Sequence, residues 1–227
     1  LKKIGKEAFY CCFGLSSVDI PEGVVSIADK AFAWCGAYRS FGTSYSCYNF
    51  TKVTLPSTLT TMGTSAFSNC QVLESINIPE KITEIQNDTF SCCYELRSVI
   101  IPSGIKKIGK DAFFDNRSLK TITFSWNAPE IDSKAFNGGI PSSVIATCYY
   151  PSNNPAWTSS MLQNYGGKLT WVAKEMVKPS EGTGSGGSGS GGTGEGSGSG
   201  SSGSDSGTGS GLSLIHISEP TRQEAIS

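Results

Sequence analysis

The chain has 227 residues, 37% hydrophobic and 16% charged, with a formal net charge of −1. A balance this close to neutral, without a basic block or interleaved basic and aromatic residues, gives no electrostatic footprint for nucleic acid or an anionic membrane. No apolar run reaches the ~18–20 residues of a membrane-spanning helix, and 15 of the 27 glycines fall between Gly182 and Gly211, so the core must come from the residues before them.

From the first residue the chain repeats itself. Phenylalanine recurs at 9, 32, 67, 90, 113 and 136, in steps of 23, 35, 23, 23 and 23, and the same steps relate Ile27, Met62, Ile85, Ile108 and Ile131. A proline follows at Pro21, Pro56, Pro79 and Pro102. The unit reads x-x-I-x-x-I-x-x-x-A-F-x-x-C-x-x-L-x-x-I-x-I-P, as in "EKITEIQNDTFSCCYELRSVIIP". Its L-x-x-I-x-I part (Leu73, Ile76, Ile78; Leu96, Val99, Ile101; Leu119, Ile122, Phe124) ends in period-2 alternation, which predicts a strand buried on one face. Proline then stops the strand because it cannot donate to a ladder. The segment before each Phe, such as "IGKDAF", is too short for an independent helix and predicts a tight turn or a single helical turn. One unit cannot bury its own apolar face, so the units must stack into a solenoid whose strands share one parallel sheet.

The second unit carries twelve extra residues, Gly36–Cys47, within "GAYRSFGTSYSCYNF". This insert supplies Tyr38, Arg39, Phe41 and Tyr45, with Tyr48 just after it, and tyrosine and arginine dominate interface energetics. The same aromatics could equally fold back over a neighbouring coil. Phe50 stands at the Leu position of its unit and reads as core.

Three residues after each repeat Phe stand Cys12, Cys35, Cys70, Cys93, Asn116 and Gly139. Residues at one register stack, so the four thiols form an interior column in which cysteine serves as a small hydrophobe. A linear column does not converge as tetrahedral zinc requires. Disulfides between adjacent coils stay open, since in-register strands about 4.8 Å apart fall inside the Cα window for a bridge. Cys11 and Cys92 lie one position off the column and should face a turn, Cys47 belongs to the insert, and Cys148 reads as part of the end cap. Nucleophilic use of a thiol needs an adjacent base, and His216 is the only histidine. No catalytic, cofactor or metal residues are assigned.

The pattern I-x-x-x-A-F-x-x-C-x-x-L-x-x-I-x-I-P, repeated in six units over 1–151, resembles the BspA-type (Treponema-type) leucine-rich repeats of bacterial and protist surface proteins. The resemblance implies an α/β, β-rich leucine-rich-repeat solenoid of ~23-residue units with a continuous parallel sheet on the concave face. It also implies a non-enzymatic module, extracellular or at the cell surface, that binds a protein or another cell-surface or matrix macromolecule as a monomer. Concave-facing positions would be Ser17, Asp19, Lys52, Thr54, Ser75, Asn77, Ser98, Ile100, Thr121 and Thr123. A structural spacer that presents a further domain is the alternative.

Residues 152–178 resemble the terminal cap of this family, with Trp157, Tyr165 and Trp171 covering the last coil. Residues 179–211 are almost pure Gly, Ser and Thr, a composition that predicts a disordered linker. "LSLIHISEPTRQEAIS" (212–227) changes character abruptly and resembles a translated sequencing adapter, so the chain reads as a fragment without a visible signal peptide.

Deleting Gly36–Cys47 restores the 23-residue step and should leave the solenoid's circular dichroism and melting intact. Collapse of the spectrum would show the insert to be structural.

Overall fold

A computed structural model of the chain describes residues 1–36, 49–139 and 143–179, with the backbone of 215–216. Residues 37–48, which include all of the insert after Gly36 and with it Cys47, lie outside the described residues, as do nearly all of the linker and the adapter-like segment.

Strands follow in chain order as β1 (Lys3–Ile4), β2 (Ser17–Asp19), β3 (Ser26–Ile27), β4 (Lys52–Thr54), β5 (Thr61–Met62), β6 (Ser75–Ile76) and β7 (Glu84–Ile85). Then come β8 (Ser98–Ile101), β9 (Lys107–Ile108), β10 (Thr121–Phe124), β11 (Glu130–Ile131), β12 (Ile145–Pro151), β13 (Lys168–Lys174) and β14 (Ile215–His216). All pairings are parallel. The chain is therefore a β-solenoid, and the sole helical element among the described residues is the 3-10 turn Ser159–Met161.

Each coil contributes to two sheets. The longer strands form the ladders β2-β4-β6, flanked by β14, and β8-β10-β12-β13. The shorter strands form β1-β3-β5 and β7-β9-β11. This second row escapes a reading by period, because a two-residue strand shows only one inward residue: Ile4, Ile27, Met62, Ile85, Ile108 or Ile131, all buried. The long sheet is interrupted between β6 and β8, where the Arg97 amide still donates to the Glu74 carbonyl at 3.2 Å. β6 stops at Ile76, and the side-chain amide of Asn77 engages both the N–H and the carbonyl of Leu55.

Between the two rows runs a column of stacked rings. Phe9 and Phe32 are 4.9 Å apart between centroids, Phe32 and Phe67 5.3 Å, Phe67 and Phe90 5.9 Å, Phe90 and Phe113 5.5 Å, and Phe113 and Phe136 5.3 Å. These spacings lie within the favourable range for offset aromatic pairs. The rings from Phe32 to Phe136 are fully buried, as is Phe50 at its Leu position.

The turns that carry the first five rings share a repeating backbone. Two residues before Phe, the residues Glu7, Lys30, Ser65, Asp88 and Asp111 have φ of 53–56°. Two residues after Phe, Cys11, Trp34, Asn69, Cys92 and Asp115 have φ of 54–65°. Left-handed backbone is uncommon for residues with a side chain, and Asp and Asn tolerate it best. It persists here because it turns amides toward the next coil. Ser65, Phe67 and Asn69 donate to the carbonyls of Asn87, Thr89 and Ser91 at 3.0, 2.9 and 2.7 Å. Asp88, Phe90 and Cys92 repeat the pattern to Lys110, Ala112 and Phe114 at 3.0, 2.9 and 2.7 Å.

The C-terminal coil covers the stack. Trp157 and Trp171 pack on Phe124 at 4.9 and 5.6 Å, and Tyr165 meets Trp171 edge-on at 6.3 Å. The indoles donate to the carbonyls of Trp126 and Gln163, which satisfies their only polar atoms.

Replacing Phe90 by Ala should lower the unfolding free energy by about 3–5 kcal/mol, and Phe90→Leu should cost less. An unchanged urea midpoint in Phe90→Ala would contradict the ring column.

Candidate interaction surface

The long sheet presents its outward residues in two rows. One row holds Ser17, Lys52, Ser75, Ser98 and Thr121, and β12 and β13 extend it with Thr147 and Thr170. The other holds Asp19, Thr54, Ile100 and Thr123, extended by Tyr149 and Val172, with Asn77 directly after β6. All ten sheet residues expected from the sequence are exposed or half-buried, while Val18, Val53, Ile76, Val99 and Ile122 between them point into the core. The expected insert residues Tyr38, Arg39, Phe41, Tyr45 and Tyr48 lie outside the described residues; the described chain leaves at Gly36 and returns at Asn49, just ahead of β4.

Thr147, Tyr149, Thr170 and Val172 were hidden in the sequence by a change of step. Thr121 pairs with Thr147 and Ile122 with Cys148, a spacing of 26 residues instead of 23. Cys148, expected in the end cap, therefore sits in the sheet at the register of Ile122. The available signal was the alternation in "IATCYY", where Ala146 and Cys148 are buried between outward neighbours.

Side chains just before the strands add charge. Arg97 and Lys120 immediately precede β8 and β10, and Arg117 lies in the turn ahead of β10. With Glu95, Ser98, Ser118 and Thr121 they line an open cleft of about 600 Å³. The Arg117 guanidinium donates twice to Asp115, at 3.2 and 2.7 Å, and lies 4.3 Å from the Tyr94 ring centre. Arg97 stands 4.0 Å from Glu74, a pair exposed on both sides and worth little in water. Among the described residues Lys120 forms no ion pair.

The cysteine column does something other than line a site. Cys35, Cys70 and Cys93 each direct a thiol at the repeat-Phe carbonyl of the preceding coil: Phe9 at 3.1 Å, Phe32 at 3.1 Å and Phe67 at 3.3 Å. Cysteine is thus a small donor to a neighbouring coil as well as filler. The column ends at Asn116, whose Oδ1 accepts from the Cys93 amide at 2.8 Å and whose buried Nδ2 has no partner; Gly139 is exposed. The seven described cysteines are free thiols. Cys11 and Cys92 occupy the left-handed turn position after the ring. Burial pushes the Cys35 and Cys148 thiols up to about 12, and moves Cys70 and Cys93 well above their ordinary range. A thiol held protonated at neutral pH is not a nucleophile.

The family model for the BspA type leucine rich repeat region matches in six copies, over residues 2–46 and 41–165. Among solved structures, the chain is 29% identical to a leucine-rich repeat protein of T. pallidum, covering 54% of this chain and 52% of that one with a TM-score of 0.48. It is 25% identical to a leucine-rich repeat protein from Bacteroides ovatus, covering 76% and 46% with a TM-score of 0.44. A leucine-rich cell surface protein from Faecalibacterium prausnitzii is 19% identical, covering 74% and 73% with a TM-score of 0.43. The chain spans about half the length of the first two of these proteins. No curated protein matches it.

The Cys35 thiol ionises near 9.0 when unfolded and near 12 when folded, so its contribution to stability is complete below pH 9.0 and is lost as pH rises toward about 12. The urea midpoint should fall across that interval, less steeply in Cys35→Ala. At neutral pH Cys35, Cys70, Cys93 and Cys148 should react with a thiol reagent only on unfolding; rapid native labelling of any of them would refute the buried column.

Proposed function

The chain belongs to the BspA-type leucine-rich repeat family, and on that premise we propose that it is a non-enzymatic recognition module whose long sheet binds a protein partner outside the cell. The observation that carries this reading is the sheet itself. Rows of side chains, in register within β2-β4-β6 and within β8-β10-β12-β13, point away from a core that does not need them. Strand register fixes their spacing, so the backbone of the surface is preorganised and loses little freedom when a partner covers it.

Adhesion to a host or matrix protein is the specific role proposed, with the module secreted or held at the cell surface and acting as a monomer. No helix among the described residues is long and apolar enough to cross a membrane. The insert belongs to the same proposal. Tyr38, Arg39, Phe41, Tyr45 and Tyr48 serve as an anchor, supplied from the chain between Gly36 and Asn49, which precedes β4 in sequence.

A photocrosslinking residue at Ser75 or Thr121 of the full chain should capture a partner from cell-surface and matrix extracts, and the same residue at exposed Lys134, in the turn before Phe136, should not. Ser75→Arg should weaken capture about tenfold without changing the melt, as expected when a bulky charge enters a packed interface. Capture from Lys134 alone, or from no position in a folded protein, would count against the sheet and favour a spacer role.

A further inference from the structure

Charge and apolarity are unevenly spread over the long sheet, and the two halves differ. Toward the N-terminal coils the outward rows are polar and of mixed charge: Ser17, Asp19, Lys52, Thr54, Ser75 and Asn77. Toward the C-terminal coils three kinds of side chain run side by side across the strands. Ahead of the strands lie Arg97, Lys120 and Arg117, facing a single carboxylate, Glu95, within the cleft. Next comes the hydroxyl row Ser98, Thr121, Thr147 and Thr170. Beyond it lies the row Ile100, Thr123, Tyr149 and Val172, in which Ile100 is 61% and Val172 37% exposed.

Exposed isoleucine and valine in one row, parallel to a row of cations, call for a ligand with the matching division. We infer that this half of the sheet takes an acidic, amphipathic peptide segment of a protein partner, laid across the strands with its carboxylates over Arg97 and Lys120 and its apolar side chains on Ile100 and Val172. The inference rests on the sheet being the binding face and names the chemistry of what binds there. Geometry fits. Three residues along a strand separate Arg97 from Ile100, roughly 10 Å, close to the ~10–12 Å diameter of an α-helix. From Ile100 to Val172 the row crosses three strand spacings, roughly 14 Å, which about nine helical residues would span. Asp115 holds Arg117 in place from outside the cleft through two hydrogen bonds, so that cation is oriented before a ligand arrives. A sulfated glycan would satisfy the cations but would leave Ile100 and Val172 uncovered.

A phage-displayed random peptide library panned on the full chain tests this, with selected peptides titrated as fluorescein conjugates. Expected are peptides with acidic residues on one side and apolar residues at three- or four-residue spacing on the other. Arg97→Ser, Lys120→Ser and Ile100→Ser should each weaken them roughly fivefold, Lys134→Ser should not, and salt should weaken them further. All four side chains are exposed, so the variants should melt like the parent. Peptides without acidic residues, peptides indifferent to the first three substitutions, or no selected peptide would each overturn the inference. Retention on heparin that Arg97→Ser and Lys120→Ser abolish, without acidic peptides, would also overturn it and assign the cleft to a sulfated glycan. In every such case crosslinking from Ser75 decides separately whether the sheet binds protein at all.

Discussion

No coil of this solenoid satisfies itself. The left-handed turn around each of the first five repeat Phe residues sends alternate amides to carbonyls of the following coil, and the ring it carries lies on the ring of that coil. Left-handed backbone at two non-glycine residues per turn costs on the order of 1–2 kcal/mol each. It is retained because the alternative is a row of buried donors without acceptors, which costs more. Everything else in the molecule follows from keeping the coils in register: the inward Ile of the short strands, the thiol aimed at a carbonyl, and the outward rows of the long sheet.

The parts legible in the sequence were those governed by period. A step of 23 residues placed the rings, the inward aliphatics, the column of thiols and ten outward positions on the long sheet. What stayed hidden was governed by geometry that side-chain type reports weakly. Two-residue strands offer one inward residue each and cannot show alternation. Left-handed turn positions are occupied by Glu, Lys, Trp and Cys as well as by Asp and Asn, so composition does not mark them. β12 and β13 were lost because the step lengthened to 26 residues just where the repeat consensus ran out. Cysteine at the column register read as filler, since sequence cannot show the carbonyl 3.1 Å away.

The interaction surface was half legible for the same reason. Alternation along one strand predicts which residues face outward, and it did so for Ser98 and Ile100. It says nothing about what adjoins them across strands. The cations at Arg97 and Lys120 occupy equivalent places in successive coils, yet the units before them carry Thr51 and Glu74 there, so no repeat consensus reveals the patch. Only the stacking of coils turns separate residues, one per unit, into a contiguous surface.

The turn ladder also sets how the stack responds to a pulling force. Its inter-coil amides run from a coil to its successor, and each repeat ring stacks on those of the adjoining coils. Coil interfaces are therefore connected in series. If the two ends were drawn apart along the axis, as by shear on an attached cell, each interface would carry the full load and the weakest would open first. A released 23-residue coil yields roughly 75–80 Å of extended chain, while its neighbours keep their rings and hydrogen bonds. Such a stack would lengthen in steps under force and let the sheet of the remaining coils stay folded.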